Sequence, residues 1–135
     1  MIEYIESDDG TLHLVYRPND SVSGRKDIID PKEILQISLI QSKKNTVFDP
    51  HIHIEKLLDH SSQITQESWV VVKGLVRVDY YNMSGVYIDS KEIKDGECSI
   101  TLRGGHSYKI LSDNTLIYEF KTGPYYGVEK DKVYI

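Results

Sequence analysis

From residue 67 onward, turn signals cut the chain into segments of about eight residues, and each segment alternates its side chains in pairs of faces. Trp69, Val71 and Lys73 share one face against Ser68, Val70 and Val72. Beyond Gly74, Val76, Val78 and Tyr80 oppose Leu75, Arg77 and Asp79. Tyr87 to Ile93, Cys98 to Leu102, Tyr108 to Leu111 and Leu116 to Phe120 continue the pattern, and Asn82 to Gly85 reads as a hairpin loop. A period of two belongs to strands, and ten tyrosines among many Val and Ile residues reinforce it. The spacing predicts one all-β domain over residues 1–135, a sandwich or barrel. A helix start is expected only at Pro31, with Asp30 as its cap. The polar segment from Asp20 to Asp30 reads as a mobile loop.

Composition removes several classes of function. Sixteen Lys and Arg against 21 Asp and Glu give a net charge of −5, and no basic block is present. Such a chain is a poor ligand for a phosphate backbone, so no nucleic-acid partner is expected. The single cysteine, Cys98, excludes an internal disulfide framework and a multi-cysteine zinc site; lying mid-strand, it reads as a small core residue. No apolar run approaches the ~18 residues of a membrane helix, and the opening MIEYIESDDG lacks an apolar signal core. The expectation is a cytoplasmic protein without a membrane partner. Walker, dinucleotide and GxSxG motifs are absent from the sequence.

The chemistry lies in the histidines. His51 and His53 flank Ile52, and on a strand residues i and i+2 face the same side, with β-carbons roughly 7 Å apart. Two imidazoles so placed can converge on one ion. His106 opens a later strand directly after Gly104-Gly105. Two carboxylates compete to complete the set. Glu55 shares the face of His51 and His53 if their strand continues, whereas Glu67 opens the strand that ends at Gly74. His13 reads as a surface or dimer-edge residue, and His60 as a solvated loop residue.

In this arrangement the sequence resembles the cupin superfamily. His51, His53, Glu67, six residues and Gly74 follow the family's first motif, over residues 51–74; Gly96, the Gly104-Gly105 turn and His106 follow the second, over residues 96–113. Two departures stand out. Thirteen residues separate His53 from Glu67, where the family has three or four, so residues 54 to 66 must form a longer loop or an extra hairpin. Leu102 replaces a common proline, and His106 comes one residue early. The resemblance implies a double-stranded β-helix, or jelly-roll, barrel with a metal held by His51, His53, Glu67 and His106, and Glu55 as the alternative ligand. It also implies pairing into a homodimer, for which the strand near Thr11 to Tyr16 is the candidate edge. The run from Lys121 to Lys132 resembles the ending of small bacterial cupins of surface-polysaccharide and nucleotide-sugar gene clusters.

Three imidazoles and a carboxylate suit one divalent Fe, Mn, Ni, Co or Zn ion. Trp69 and Tyr118 are expected in the substrate pocket, and Tyr108 is a candidate general acid, against the reading that these rings only fill the core. Arg77 is expected to face solvent, while Arg103 offers a charge for an anionic substrate. The implied function is a metal-binding protein for a small polar or carbohydrate-derived metabolite, with isomerase- or epimerase-type or oxygenase-type chemistry. The alternatives are a non-catalytic sugar-binding module with a structural metal and a metal-free dimerising barrel.

Overall fold

The computed structural model describes residues 1–19, 23–58 and 61–135. Fourteen strands and one short helix are described: β1 (Ile2–Ser7), β2 (Gly10–Tyr16), β3 (Gly24–Asp27), β4 (Leu35–Ser42), β5 (Val47–His53), β6 (Glu55–Leu58), β7 (Ser61–Ile64), β8 (Glu67–Lys73), β9 (Leu75–Tyr81), β10 (Tyr87–Lys94), β11 (Cys98–Thr101), β12 (Gly105–Ile110), β13 (Thr115–Thr122), α1 (Val128–Asp131) and β14 (Lys132–Tyr134). Two five-stranded antiparallel sheets form the barrel, in the orders β10-β9-β12-β5-β14 and β11-β8-β13-β4-β3. Consecutive strands often fall in opposite sheets, as β4 and β5 or β8 and β9 do. This is the jelly-roll pattern.

Inward residues of the two sheets meet in one core. Ile40, Trp69, Val71, Val76, Val78, Ile93, Tyr108, Ile110 and Ile117 are buried together, with Phe48 and Tyr80 packed against them. The parity read from the sequence for Trp69/Val71 and Val76/Val78 therefore points inward. The motif glycine Gly74 ends β8 at φ 113°, and its N–H donates to Asp95 Oδ1 at 2.6 Å. A β-carbon there would overlap the Thr115 hydroxyl, so the tight turn from β8 to β9 has room only for glycine. Gly104 has the same constraint at φ 91°, where a β-carbon would lie 2.6 Å from Tyr81 O.

Several local expectations change. Residues 24–27 form β3, paired with β4 through Gly24↔Gln41 to Asp27↔Ser38, so part of the expected mobile loop is an edge strand. Its polar side chains are compatible with a strand because Arg25 and Asp27 bond one another rather than pack a core. Pro31 starts a turn instead of a helix; Asp30 Oδ1 accepts from Lys32 N at 2.9 Å, but Leu35 onward is committed to β4. The described helix is α1, in a segment with no helical period. Cys98 is exposed, because Ser99 and Thr101 take the inward positions of β11. Arg77 faces solvent in an ion pair with Asp79. The insertion is an extra hairpin, β6-β7; His60 lies outside the described residues. No helix among the described residues is long and apolar enough to cross a membrane.

Candidate metal centre

Strand pairing assembles the site. In the register of β5 and β12, His51 lies directly opposite His106, and His53 follows on the same face of β5. Glu67 enters from β8, in the facing sheet. One ligand atom from each of His51, His53, Glu67 and His106 lies within 4.8 Å of the others, and all four residues are buried. Those four came from three strands separated by up to 55 positions in sequence.

Glu55 is not among them. Ile54 interrupts the strand, its N–H donating to Asp131 O at 2.9 Å, and this break shifts the alternation by one residue. Glu55 turns to the surface, where it lines an open cleft with Lys130 and Tyr126, and Lys56 turns inward. The carboxylate at the cluster is Glu67.

The hydrogen bonding suits a cation. His51 Nδ1 lies 2.8 Å from Asp49 O; a carbonyl only accepts, so Nδ1 carries the proton and Nε2 presents a lone pair to the cluster. His106 Nε2 is 3.0 Å from that atom, and its Nδ1 is 2.6 Å from Thr101 Oγ1. With the proton of His106 on Nδ1 and donated to Thr101, both Nε2 lone pairs face one point. His53 carries the orphaned polar atoms of the cluster. Its Nε2 is 2.9 Å from Glu67 Oε2 and its Nδ1 is 3.3 Å from Asp131 Oδ2, yet neither ring nitrogen has an aligned hydrogen bond. Buried polar atoms without aligned partners are costly unless something else meets them. Three imidazole nitrogens and a carboxylate oxygen meet a divalent transition metal well. The residues fit the ion.

Protonation follows from the surroundings. Burial pushes His51 down to about 4 and His106 down to about 3, so both stay neutral. Burial also opposes a charge on His53, but the carboxylates of Asp131 and Glu67 outweigh it and raise it to about 9. Burial works against ionised Glu67 as well, and the close contact with His53 together with the neighbouring imidazoles holds it below the usual carboxylate range.

Asp131 is the part that sequence reasoning missed. It is fully buried at the end of α1, with Oδ1 3.1 Å from Lys56 Nζ and 3.4 Å from Thr65 Oγ1, and Oδ2 beside His53. Lys56, 5% exposed, also donates to Pro124 O at 3.0 Å. Nothing in the run GVEKDKVYI marks one acid as buried, because its partners lie about 70 positions away.

The aromatic expectations divide. Tyr108 is buried with its hydroxyl 3.4 Å from Glu67 Oε1 and 3.2 Å from His106 Nδ1, and burial keeps it well above an ordinary tyrosine. Its ring stacks on Trp69 at 3.6 Å, so it braces two cluster residues from below. Trp69 points inward but is 1% exposed, and its Nε1 donates to Glu119 Oε2 at 2.9 Å. It is a floor rather than a pocket wall. Tyr118 belongs to neither: Ile117 and Glu119 take the inward positions of β13, which turns Tyr118 to the outer face beside Leu14, Ile37 and Phe120. A cavity of about 420 Å³ is lined by Lys121 and Lys132, the strand partners of Glu67 and His53, with Arg25, Gln36, Ser38 and Glu119; none of the four cluster residues is in its lining.

Comparison with known proteins agrees with this architecture. No family model matches the sequence, and no curated protein matches it. Among solved structures, the cupin domain of Schizosaccharomyces pombe Cnp3 matches 91% of this chain and 86% of its own, with TM-score 0.63 and 12% identity. CapF, the capsular polysaccharide assembling protein of Staphylococcus aureus, matches all of this chain at TM-score 0.64 and 14% identity. This chain spans only 34% of CapF. KdgF from a Halomonas species matches 76% of this chain and 78% of its own, at TM-score 0.56 and 17% identity. The protein is a cupin-fold jelly-roll barrel. Its buried His₃Glu cluster is of the kind that holds a divalent metal ion.

Proposed function

We propose that the protein is a metal-dependent enzyme acting on a small polar, carbohydrate-derived metabolite, with isomerase- or epimerase-type or oxygenase-type chemistry. The observation that carries this reading is the convergence of His51, His53, Glu67 and His106, with Lys121 and Lys132, the strand partners of Glu67 and His53, lining a cavity of about 420 Å³, within the size range of small-molecule sites. A bound divalent ion would supply Lewis-acid polarisation of a carbonyl or hydroxyl oxygen. The chain's own residues hold that centre. Thr101 and the carbonyl of Asp49 fix the tautomers of His106 and His51, and Tyr108 braces Glu67. The structural likeness to CapF, a capsular polysaccharide assembling protein, supports a carbohydrate context. The reading includes a cytoplasmic homodimer formed through the β1-β2 hairpin, which exposes Tyr4, Ile5 and Leu12.

The experiment compares metal-loaded with metal-stripped protein on a panel of keto sugars, aldoses and nucleotide sugars, following products by NMR and oxygen by electrode. Turnover that disappears on stripping is the expected result, and oxygen consumption separates the two chemistries. No turnover across the panel at full metal occupancy would favour the non-catalytic reading, in which the metal anchors a bound ligand. The near-complete burial of all four ligands is the observation on that side.

A further inference from the structure

Two lysines flank the cluster from neighbouring strands. Lys121 of β13 lies directly opposite Glu67 of β8, and Lys132 of β14 lies directly opposite His53 of β5. Residues so paired project to the same side of their sheet, so both lysines share the face of the ligands. Both also line the 420 Å³ cavity.

The other charges there bond one another. Arg25 clasps Glu119 through two bonds of 2.7 and 3.2 Å and takes Asp27 at 2.8 Å, while Ser38 closes the group by donating to Asp27 at 2.6 Å. Asp131 is occupied by Lys56 at 3.1 Å. Among the described residues Lys121 reaches only the far oxygen of Asp131, at 3.9 Å, and sits over the ring of Tyr125 at 4.3 Å. Lys132 has no ion pair among the described residues. The lining carries Arg25, Lys121 and Lys132 against Asp27 and Glu119, which leaves the cavity one positive charge in excess. Low-dielectric walls strengthen attraction for an anion of matching size.

We propose that the ligand of this cavity is an anionic polyol or sugar derivative, whose carboxylate or phosphate is held between Lys121 and Lys132. The inference deepens the reading of a small polar metabolite and rests on it for the place of binding, but the lysine pair is testable apart from any reaction.

The test is an NMR titration of the ¹⁵N-labelled full chain, loaded with zinc, using three probes on one carbon skeleton: sorbitol, gluconate and sorbitol 6-phosphate. Gluconate or sorbitol 6-phosphate should shift the amides around Lys121, Tyr125 and Lys132 and bind at least ten-fold more tightly than sorbitol; the tighter anion identifies carboxylate or phosphate. Lys121→Met and Lys132→Met should each weaken the preferred anion at least five-fold, with the core amides unchanged as the check on folding. Equal binding of sorbitol, or anion binding indifferent to both substitutions, would overturn the inference, as would no anion binding at all. Zinc content is measured on the same samples, so loss of the metal and loss of the anion site are read separately. On a sample without zinc, an anion preference that vanishes in the lysine variants still supports the pair.

Discussion

Replacing Asp131 with alanine should destabilise the fold by about 3–5 kcal/mol, since breaking a buried ion pair leaves its partner charged and unsolvated. Asp131 is completely buried, and the Lys56 side chain is 3% exposed. Without the carboxylate, the Lys56 ammonium keeps, among the described residues, only the carbonyl of Pro124. A chain of this size should then lose roughly 10 °C or more of melting temperature. The double variant Asp131→Ala/Lys56→Met should recover part of that loss, because the stranded charge goes with it. Equal loss in the single and double variants would contradict this account of the pair. Asp131→Asn keeps the shape and the bond from Thr65, and should fall between wild type and alanine.

The second large effect is in pH. In the metal-free protein His53 titrates at about 9, above the ~6.5 of an unfolded histidine. A raised value means that the folded state binds the proton more tightly. Its stabilisation is complete below about pH 6.5 and is lost as pH rises through 9. His51 and His106 act in the opposite sense: held at about 4 and 3, they cost stability as pH falls below 6.5, when the unfolded chain takes up protons that the fold refuses. Thermal melts of the metal-free protein should therefore peak near pH 6.5. Metal binding must displace the His53 proton, so affinity for Co²⁺ should strengthen by roughly 100-fold between pH 6.5 and 8.5, one proton leaving per ion. Calorimetry in buffers of different ionisation enthalpy reads that proton directly. Affinity independent of pH would show that His53 is already neutral.

What the sequence made legible was the part governed by short-range periodicity. Alternation placed Trp69, Val71, Val76 and Val78 inward, and the HxH pair with the Glu67-to-Gly74 spacing isolated the residues that the barrel brings together. Period two cannot say which face of an isolated strand is buried, and this is why Tyr118 was placed in the pocket and Cys98 in the core. Nor can it foresee a break such as Ile54, where one backbone bond to Asp131 reverses Glu55 and Lys56. Asp131 and the two pocket lysines were hidden for another reason. Asp131 and Lys132 take their roles from the return of residues 123–134 over the barrel, through β14 on β5 and Tyr125 N to Pro31 O at 2.8 Å, and Lys121 takes its role from the pairing of β13 with β8. A contact across about 70 positions leaves no local mark.

The central claim is that His51, His53, Glu67 and His106 form one metal centre. Elemental analysis by plasma mass spectrometry tests it most directly, on wild type and on His51→Ala and His106→Ala purified together and reconstituted with Fe, Mn, Ni, Co or Zn. The account predicts about one equivalent of a divalent metal in the wild type and its loss in both variants, with the barrel still folded by circular dichroism. A wild type that takes up no metal under any of these conditions, or variants that keep a full equivalent, would contradict it.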